Sequence, residues 1–137
     1  MSSVAGQTEE VVRAYIDACN GDEVETVLGL LHPEIELHEA DTLPGAVSAV
    51  GFEEVRRYLE RFDTHWSSFN WEPLALEFAG DRALMRARLR LVGRKSGIEV
   101  DREWIYVFAV RDGKLARQDG FDQMDDARAV FEHGGAT

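Results

Sequence analysis

Tyr15 is the first residue whose type and spacing suggest chemistry. It shares one helical face with Val12, Ile16 and Cys19, so a helix here turns its ring toward the interior. A buried phenol hydroxyl needs a hydrogen-bond partner, and it can also donate to a developing negative charge. We therefore take Tyr15 as a candidate catalytic residue. Cys19, the single cysteine of the chain, is interpreted as a small core residue.

Glu39 is the second candidate, and its argument comes from strand periodicity. In a strand, Ile35, Leu37 and Glu39 share one face, whereas His38 points to the other. A carboxylate at the end of an apolar row lies either at the rim of a sheet or in a pocket. In a pocket, lost hydration raises its pKa toward the range of a general base at neutral pH.

Two more candidates come from strands late in the chain. Alternation over residues 99–110 places Tyr106 on the same face as Trp104 and Phe108. Asp119 has the parity of Leu115 and Phe121, which turns its carboxylate inward, although an acid at the end of a strand is more often a turn or rim residue. Arg117 has that parity too, so an Arg117–Asp119 pair with a purely structural role remains an alternative.

Apolar residues on the inward faces predict a concave, mostly apolar cavity for a small molecule. We expect its ligand-binding lining to comprise Phe62, Trp66, Met85, Leu89, Trp104, Phe108 and Phe121. The alternative is that these side chains only fill the core. On the opposite face of the sheet, three arginines alternate with apolar residues: Arg86, Arg88 and Arg90. They can form cross-strand ion pairs with Asp101 and Glu103 of the next strand. A binding site for an anion is the second interpretation.

The elements that position these residues follow from periodicity and turn signals. Helical spacing predicts helices from about Thr8 to Asn20, from Asp22 to His32 and over 52–62. Strands are predicted over 34–39, 71–78, 83–92, 99–110 and 115–121, with a short terminal helix over 125–131. The loop over 40–51 is the expected lid or entrance. Helices followed by antiparallel strands predict an α+β fold whose helices cover one face of a curved sheet.

Composition limits the classes of partner. The 137 residues fit one domain, with a core over about 8–131. The 26 acidic and 15 basic residues give a formal charge of −11, which repels nucleic acid and anionic membranes. No apolar run approaches membrane-spanning length, so a cytoplasmic protein is expected. The four histidines show no metal-ligand spacing, and no glycine-rich phosphate loop follows a strand, so neither metal nor cofactor is expected.

In this order of elements, the chain resembles the nuclear transport factor 2-like superfamily, and within it the SnoaL-like and ketosteroid-isomerase-like proteins. The supporting motifs are Val12-Arg13-Ala14-Tyr15-Ile16, Asn20-Gly21-Asp22, His32-Pro33-Glu34-Ile35-Glu36-Leu37, Gly51-Phe52-Glu53-Glu54-Val55 and Val110-Arg111-Asp112-Gly113-Lys114. The resemblance implies a cone-like α+β barrel, with three N-terminal helices packed on a curved, antiparallel or mixed sheet. It also implies a homodimer, and apolar Ile105 and Val107 on the outer sheet face suggest that face as the interface.

The resemblance implies roles for the candidate residues. In ketosteroid isomerases, a tyrosine on the first helix donates to the developing oxyanion, and an acid at the end of the first strand moves the proton. Tyr15 and Glu39 match these positions, with glutamate in place of aspartate. Tyr106 stands where those enzymes have a protonated aspartate, and a phenol can donate there too. Asp119 is the nearest match to the late-strand base of SnoaL-like cyclases, so Glu39 and Asp119 both remain candidates for the base.

The expected function is proton transfer on a small apolar carbonyl compound, by an isomerase, cyclase or dehydratase that uses no cofactor. The alternative is a noncatalytic module of the same fold that binds a small ligand or mediates dimerisation, because one fold supports many functions.

Overall fold

The computed structural model describes residues 4–40 and 48–133 of the chain. Its helices are α1 (Val4–Asn20), α2 (Val24–Leu30), α3 (Phe52–His65) and α4 (Met124–His133). Its strands are β1 (Leu31–His38), β2 (Ser48–Val50), β3 (Trp66–Ala79), β4 (Arg82–Gly93), β5 (Glu99–Arg111) and β6 (Lys114–Phe121). The predicted α+β class is confirmed.

The six strands form one mixed sheet in the order β2-β1-β6-β5-β4-β3. β3 pairs antiparallel with β4, β4 with β5 and β5 with β6, as the turn signals between them predict. β1 instead runs parallel to β6, with Leu37 opposite Gln118. β2 and β3 remain edges, so the sheet does not close on itself. The parallel pairing matters for function because it brings the end of β1 beside the end of β6.

One face of the sheet holds the main core, under α1 and α3. Val12, Tyr15 and Ile16 of α1 pack there with side chains from β3, β4 and β5, as the helical spacing predicts. Trp104, Tyr106 and Phe108 of β5 point to the same face and are fully or almost fully buried. The helices therefore enclose the concave side of the sheet.

The other face of the sheet is covered in part by α4. Ala127 and Phe131 of this helix pack on Leu84, Ile105 and Val107. The sequence argument assigned Ile105 and Val107 to a subunit interface, but a helix of the same chain buries them. The homodimer therefore stays a prediction that rests on the family resemblance. Beside α4, Arg86 pairs with Glu103 and Arg88 pairs with Asp101, so the charged residues of this face form cross-strand ion pairs.

Some boundaries differ from those predicted. α1 begins at Val4, so Thr8 lies inside the helix, where its hydroxyl contacts Val4 O at 2.9 Å and Gly80 O at 2.8 Å. The predicted loop over 40–51 contains β2, and its residues 41–47 lie outside the described part of the chain. Within the described ranges, no helix is long and apolar enough to cross a membrane.

Candidate functional site

A cavity of about 280 Å³ lies between the helices and the concave face of the sheet. α1 contributes Tyr15 and Cys19, α3 contributes Tyr58 and Phe62, and the sheet contributes the floor. The exposed residues of the lining are Asp22, Glu23, Ser67 and Ser68, which mark where the cavity meets solvent. We call these four residues the mouth. The lining is mostly aromatic and aliphatic, as in cavities that hold small organic molecules.

Glu39 lines this cavity because it directly follows β1 on the inward face of that strand. Burial raises the pKa of its carboxyl from 4.5 to about 7. A hydrogen bond of 3.3 Å from Gln118 Nε2 to Glu39 Oε1 opposes this rise, and the charge of Asp119 adds to it. Near neutral pH the carboxyl is therefore present in both protonation states, as a group that both takes and returns a proton requires.

The second oxygen of Glu39 lies against the backbone of Gly120. A Cβ added at Gly120 would overlap Glu39 Oε2 and would stand 3.0 Å from Trp104 Nε1. Glu39 Oε2 and Trp104 Nε1 are both buried, and neither has a hydrogen-bond partner within the described residues. The nearby indole N–H nevertheless lowers the pKa of Glu39, although less than burial raises it. Glycine at position 120 thus makes room for the carboxyl.

Tyr15 reaches Glu39 through an intermediate side chain. Its hydroxyl donates a hydrogen bond of 2.6 Å to Gln118 Oε1. This bond fixes the amide so that the Gln118 NH₂ group faces Glu39. Tyr15 is buried, and its pKa is raised well above the usual value by burial first, so its hydroxyl keeps its proton. Sequence periodicity predicted that Tyr15 points inward, but it did not identify Gln118 as the hydrogen-bond partner.

Two further phenols line the cavity near Glu39. Burial raises the pKa of Tyr58 and of Tyr106, and the charge of Glu39 raises both further. The indole of Trp71 opposes this rise at Tyr106, and neither hydroxyl donates a hydrogen bond to another described residue. The Tyr106 ring packs edge-on against Trp71, with 4.9 Å between ring centroids. Tyr58 was missed as a site residue, although it lies on the apolar stripe of α3 as Tyr15 lies on that of α1.

Six of the seven residues predicted to line the cavity divide into two groups, and the seventh is Phe121. Phe62, Trp66 and Leu89 line it. Met85, Trp104 and Phe108 are fully buried beneath the lining and form core instead. The prediction selected the correct face of β4 and β5, but alternation alone does not indicate how far along a strand the cavity extends.

Asp119 and Phe121 lie on the opposite face of the sheet from the one that parity predicted. The pairing of β5 with β6 shifts between Leu115 and Arg117, which leaves an extra residue in β6 and reverses the alternation beyond it. Gln118 and Gly120 consequently face the cavity, and Phe121 packs with the α4 cluster. Asp119 instead pairs with Arg117, whose Nε lies 2.8 Å from Asp119 Oδ2.

The outer-face position of Asp119 separates it from the cavity lining. Arg117 also approaches Glu36, which contacts His38 Nε2 at 3.0 Å. The geometry brings Tyr15, Glu39 and Tyr106 together and leaves Asp119 outside the cavity. Asp119 affects Glu39 only through its charge.

Other chemistries find little support in the described residues. No three His, Cys, Asp or Glu side chains among them are grouped to hold a metal ion. Cys19 touches the cavity, but burial raises the pKa of its thiol to about 12, so the nucleophilic thiolate is scarce at neutral pH.

The chain is similar to a family described as SnoaL-like domain, whose model matches residues 12–118. A search of the curated proteins found no match. Among solved structures, a nuclear transport factor 2-like protein of unknown function from Burkholderia pseudomallei is similar over 96% of this chain and 98% of its own, with a TM-score of 0.75 and 16% identity.

Two further structures share the fold. A protein from Xanthomonas campestris, proposed to be a polyketide cyclase, matches 90% of this chain and 96% of its own, with a TM-score of 0.75 and 16% identity. A protein from Catenulispora acidiphila with a ketosteroid isomerase-like fold, in complex with trimethylamine, matches 90% of this chain and 92% of its own, with a TM-score of 0.71 and 13% identity. At these identities the similarity shows the fold alone.

Proposed function

This chain belongs to the SnoaL-like domain family, and from that premise we propose that its cavity is the active site of a cofactor-independent proton-transfer enzyme. The substrate is a small, largely apolar carbonyl compound. The observation that carries the proposal is the buried carboxyl of Glu39, which lines an aromatic cavity with a pKa of about 7. A similar solved structure is proposed to be a polyketide cyclase, and cyclisation by carbon–carbon bond formation also begins with loss of a proton next to a carbonyl.

In the proposed mechanism, ionised Glu39 removes a proton from the carbon next to the carbonyl group. The electron pair of that C–H bond forms a carbon–carbon double bond, and the π pair of the C=O bond moves to the oxygen, so that the substrate becomes an enolate with its negative charge on that oxygen. Tyr58 and Tyr106 donate hydrogen bonds to this oxygen, because their hydroxyls have no other described acceptor and keep their protons. The protonated carboxyl of Glu39 then returns the proton to the same or another carbon, which regenerates the enzyme.

Tyr15 has a different role in this scheme from the one expected. Its proton is engaged by Gln118, so it is a positioning residue that orients the amide facing Glu39. Asp119 is not proposed as a base, since it pairs with Arg117 on the other face of the sheet. The base is therefore Glu39.

Deuterium exchange tests the proposal with simple ketones in place of the natural substrate. A panel of apolar aryl and polycyclic ketones is incubated with the protein in D₂O, and ¹H NMR follows loss of the proton signal next to the carbonyl. We expect exchange above the buffer rate for at least one ketone, and Glu39→Gln should lower it by about 10²- to 10⁴-fold. Glu36→Gln, on the outer face, is the matched control and should leave the rate unchanged.

Two results would contradict the proposal. Exchange that is equal in Glu39→Gln and the wild type would exclude Glu39 as the base. Saturable binding of the ketones without exchange would favour the alternative, a noncatalytic ligand-binding module with the same fold.

A further inference from the structure

The charged residues that line the cavity all have the same sign. They are Asp22, Glu23 and Glu39, and the described lining contains no lysine, arginine or histidine. The residues outside the described ranges also contain none, because 1–3, 41–47 and 134–137 have no basic residue in the sequence. No residue outside the described ranges can therefore add a basic side chain to this lining.

The position of Asp22 and Glu23 is built into the fold. They form the exposed turn between α1 and α2, next to Asn20. The Asn20 side chain makes two hydrogen bonds of 2.8 Å with the backbone of Trp71, one as donor and one as acceptor, and so fastens the end of α1 to β3. The C-terminal end of α1 adds partial negative charge near this turn. Two carboxylates are thus held at the mouth.

The walls between the mouth and Glu39 are aromatic. The ring centroid of Phe62 lies 6.5 Å from that of Trp66 and 5.6 Å from that of Phe69, and Phe69 lies 4.9 Å from Trp71. Ring faces attract cations, most strongly where water is excluded. A cleft with low-dielectric walls and charges of one sign also concentrates ligands of the opposite sign. Glu39 also lines the cavity, with its Oε2 atom against Gly120 and near the indole N–H of Trp104.

We propose that the ligand of this cavity is an aromatic or polycyclic ketone that carries a basic amine, with its ammonium group at the Asp22 and Glu23 mouth and its carbonyl end toward Glu39. This inference rests on the proposed function, since it names the substrate class of the same site. Anionic ligands of the same shape are disfavoured, because they would lose hydration and meet no positive charge in the described lining, whose charged side chains are all carboxylates. Arg57 and Arg61 are not part of the lining; they line an adjoining depression beside β2, which shares Tyr58 with the cavity.

Calorimetric titration with three probes of nearly the same shape tests the charge preference. The probes are 2-naphthylmethylammonium, 2-naphthylmethanol and 2-naphthoate, and the protein is the full chain. We expect the ammonium to bind at least about tenfold more tightly than the alcohol, and the carboxylate to bind most weakly. Added NaCl should weaken binding of the ammonium and leave binding of the alcohol almost unchanged.

Two double variants locate the cation. Asp22→Asn with Glu23→Gln should reduce the preference for the ammonium to about threefold or less. Asp17→Asn with Glu25→Gln is the matched control, since it makes the same change in net charge at exposed positions outside the lining, and it should retain the preference. Urea unfolding of both variants verifies that they are folded.

Several outcomes would overturn the inference. Affinities within about threefold of one another, tightest binding of the naphthoate, or no saturable binding of the ammonium would each exclude a cation-selective cavity. Loss of the preference in both double variants would show a general effect of net charge. The deuterium exchange separates this inference from the proposed function: exchange of neutral ketones without ammonium preference would overturn only the inference. Ammonium preference without exchange would overturn only the enzymatic proposal.

Discussion

The hydroxyl of Tyr15 donates a 2.6 Å hydrogen bond to Oε1 of Gln118, and this single bond determines which end of the amide meets Glu39. If the amide turned over, its carbonyl oxygen would face the carboxyl and would favour the protonated form of Glu39. Tyr15 therefore acts on the base without touching it.

Replacement of Tyr15 by phenylalanine tests this relationship. Because Gln118 loses the donor that fixes it, the pKa of Glu39 should rise above 7 by about one to two units, the equivalent of one hydrogen bond to a charged group. A ¹³C NMR titration of carboxyl-labelled glutamate measures that pKa. Tyr58→Phe removes a phenol that is not one of the described side-chain hydrogen-bond partners of Gln118, which are Tyr15 and Glu39, and should give a smaller shift. An unchanged pKa in Tyr15→Phe would refute the positioning role.

The raised pKa of Glu39 predicts how stability depends on pH. Between 4.5 and about 7 the folded protein retains a proton that the unfolded chain has lost. The free energy of unfolding therefore falls as pH rises through this interval, by about 3 kcal/mol in total. Glu39→Gln has no ionisable group at this position, so it does not lose this stability. Its free energy of unfolding should therefore increase relative to that of the wild type as the pH rises from about 5 to about 8. Urea unfolding at both pH values measures the difference.

Glu36→Gln is the control for the pH experiment, because its stability relative to the wild type should change with pH in the opposite direction. The hydrogen bond with His38 lowers the pKa of Glu36, so its ionised form is the one that the fold favours. Glu36→Gln should therefore lower the free energy of unfolding when the pH is above the ordinary pKa of glutamate, and not when the pH is below it. A stability difference between Glu39→Gln and the wild type that stays constant with pH would contradict the burial of Glu39.

Gly120→Ala should displace the carboxyl of Glu39. The added Cβ would overlap Glu39 Oε2, so the carboxyl has to move toward the cavity, where hydration lowers its pKa. We expect the pKa to fall below 7 and the rate of deuterium exchange to fall about 10- to 100-fold, since catalytic groups require accurate placement.

A second glycine provides the control for this substitution. A Cβ at Gly29 of α2 would meet nothing within 4 Å. Gly29→Ala should therefore leave exchange unchanged and add about 0.5–1 kcal/mol of stability, because glycine is unfavourable within a helix. Equal exchange rates in Gly120→Ala and the wild type would show that the close approach of Glu39 to Gly120 is not needed.

Asn20→Ala should destabilise the fold by about 1–3 kcal/mol, since it leaves the N–H and C=O groups of Trp71 without their partners. Asn70→Ala on the same strand provides the comparison and should change stability by less than about 0.5 kcal/mol. Both are measured by urea unfolding. Equal stability in the two variants would mean that the end of α1 is held to β3 by other contacts.

The sequence was informative where periodicity is regular. Helical spacing placed Tyr15 inward, and strand alternation did the same for Glu39 and Tyr106. These faces are set by apolar neighbours a few residues away, which the sequence displays directly.

The predictions from sequence failed where the structure depends on features that neighbouring residues do not reveal. The extra residue in β6 reversed the faces of Asp119 and Phe121, and nothing in the local composition marks such a bulge. Gln118 became a site residue for the same reason. The coverage of Ile105 and Val107 by α4 depends on tertiary packing between elements far apart in the chain. Periodicity therefore predicted which face of its helix or strand a residue occupies, but it did not predict which distant residues it contacts.

The parallel pairing of β1 with β6 also has a consequence for the order of events as the chain folds. Glu39 and Gln118 are separated by 79 positions, and Tyr15 and Gln118 by 103. Contacts between such distant residues require closure of long loops, which makes them slow to form. A chain emerging from the ribosome lacks the Gln118 amide beside Glu39 until its last strand is available, so the arrangement of Tyr15, Gln118 and Glu39 forms only when folding is nearly complete.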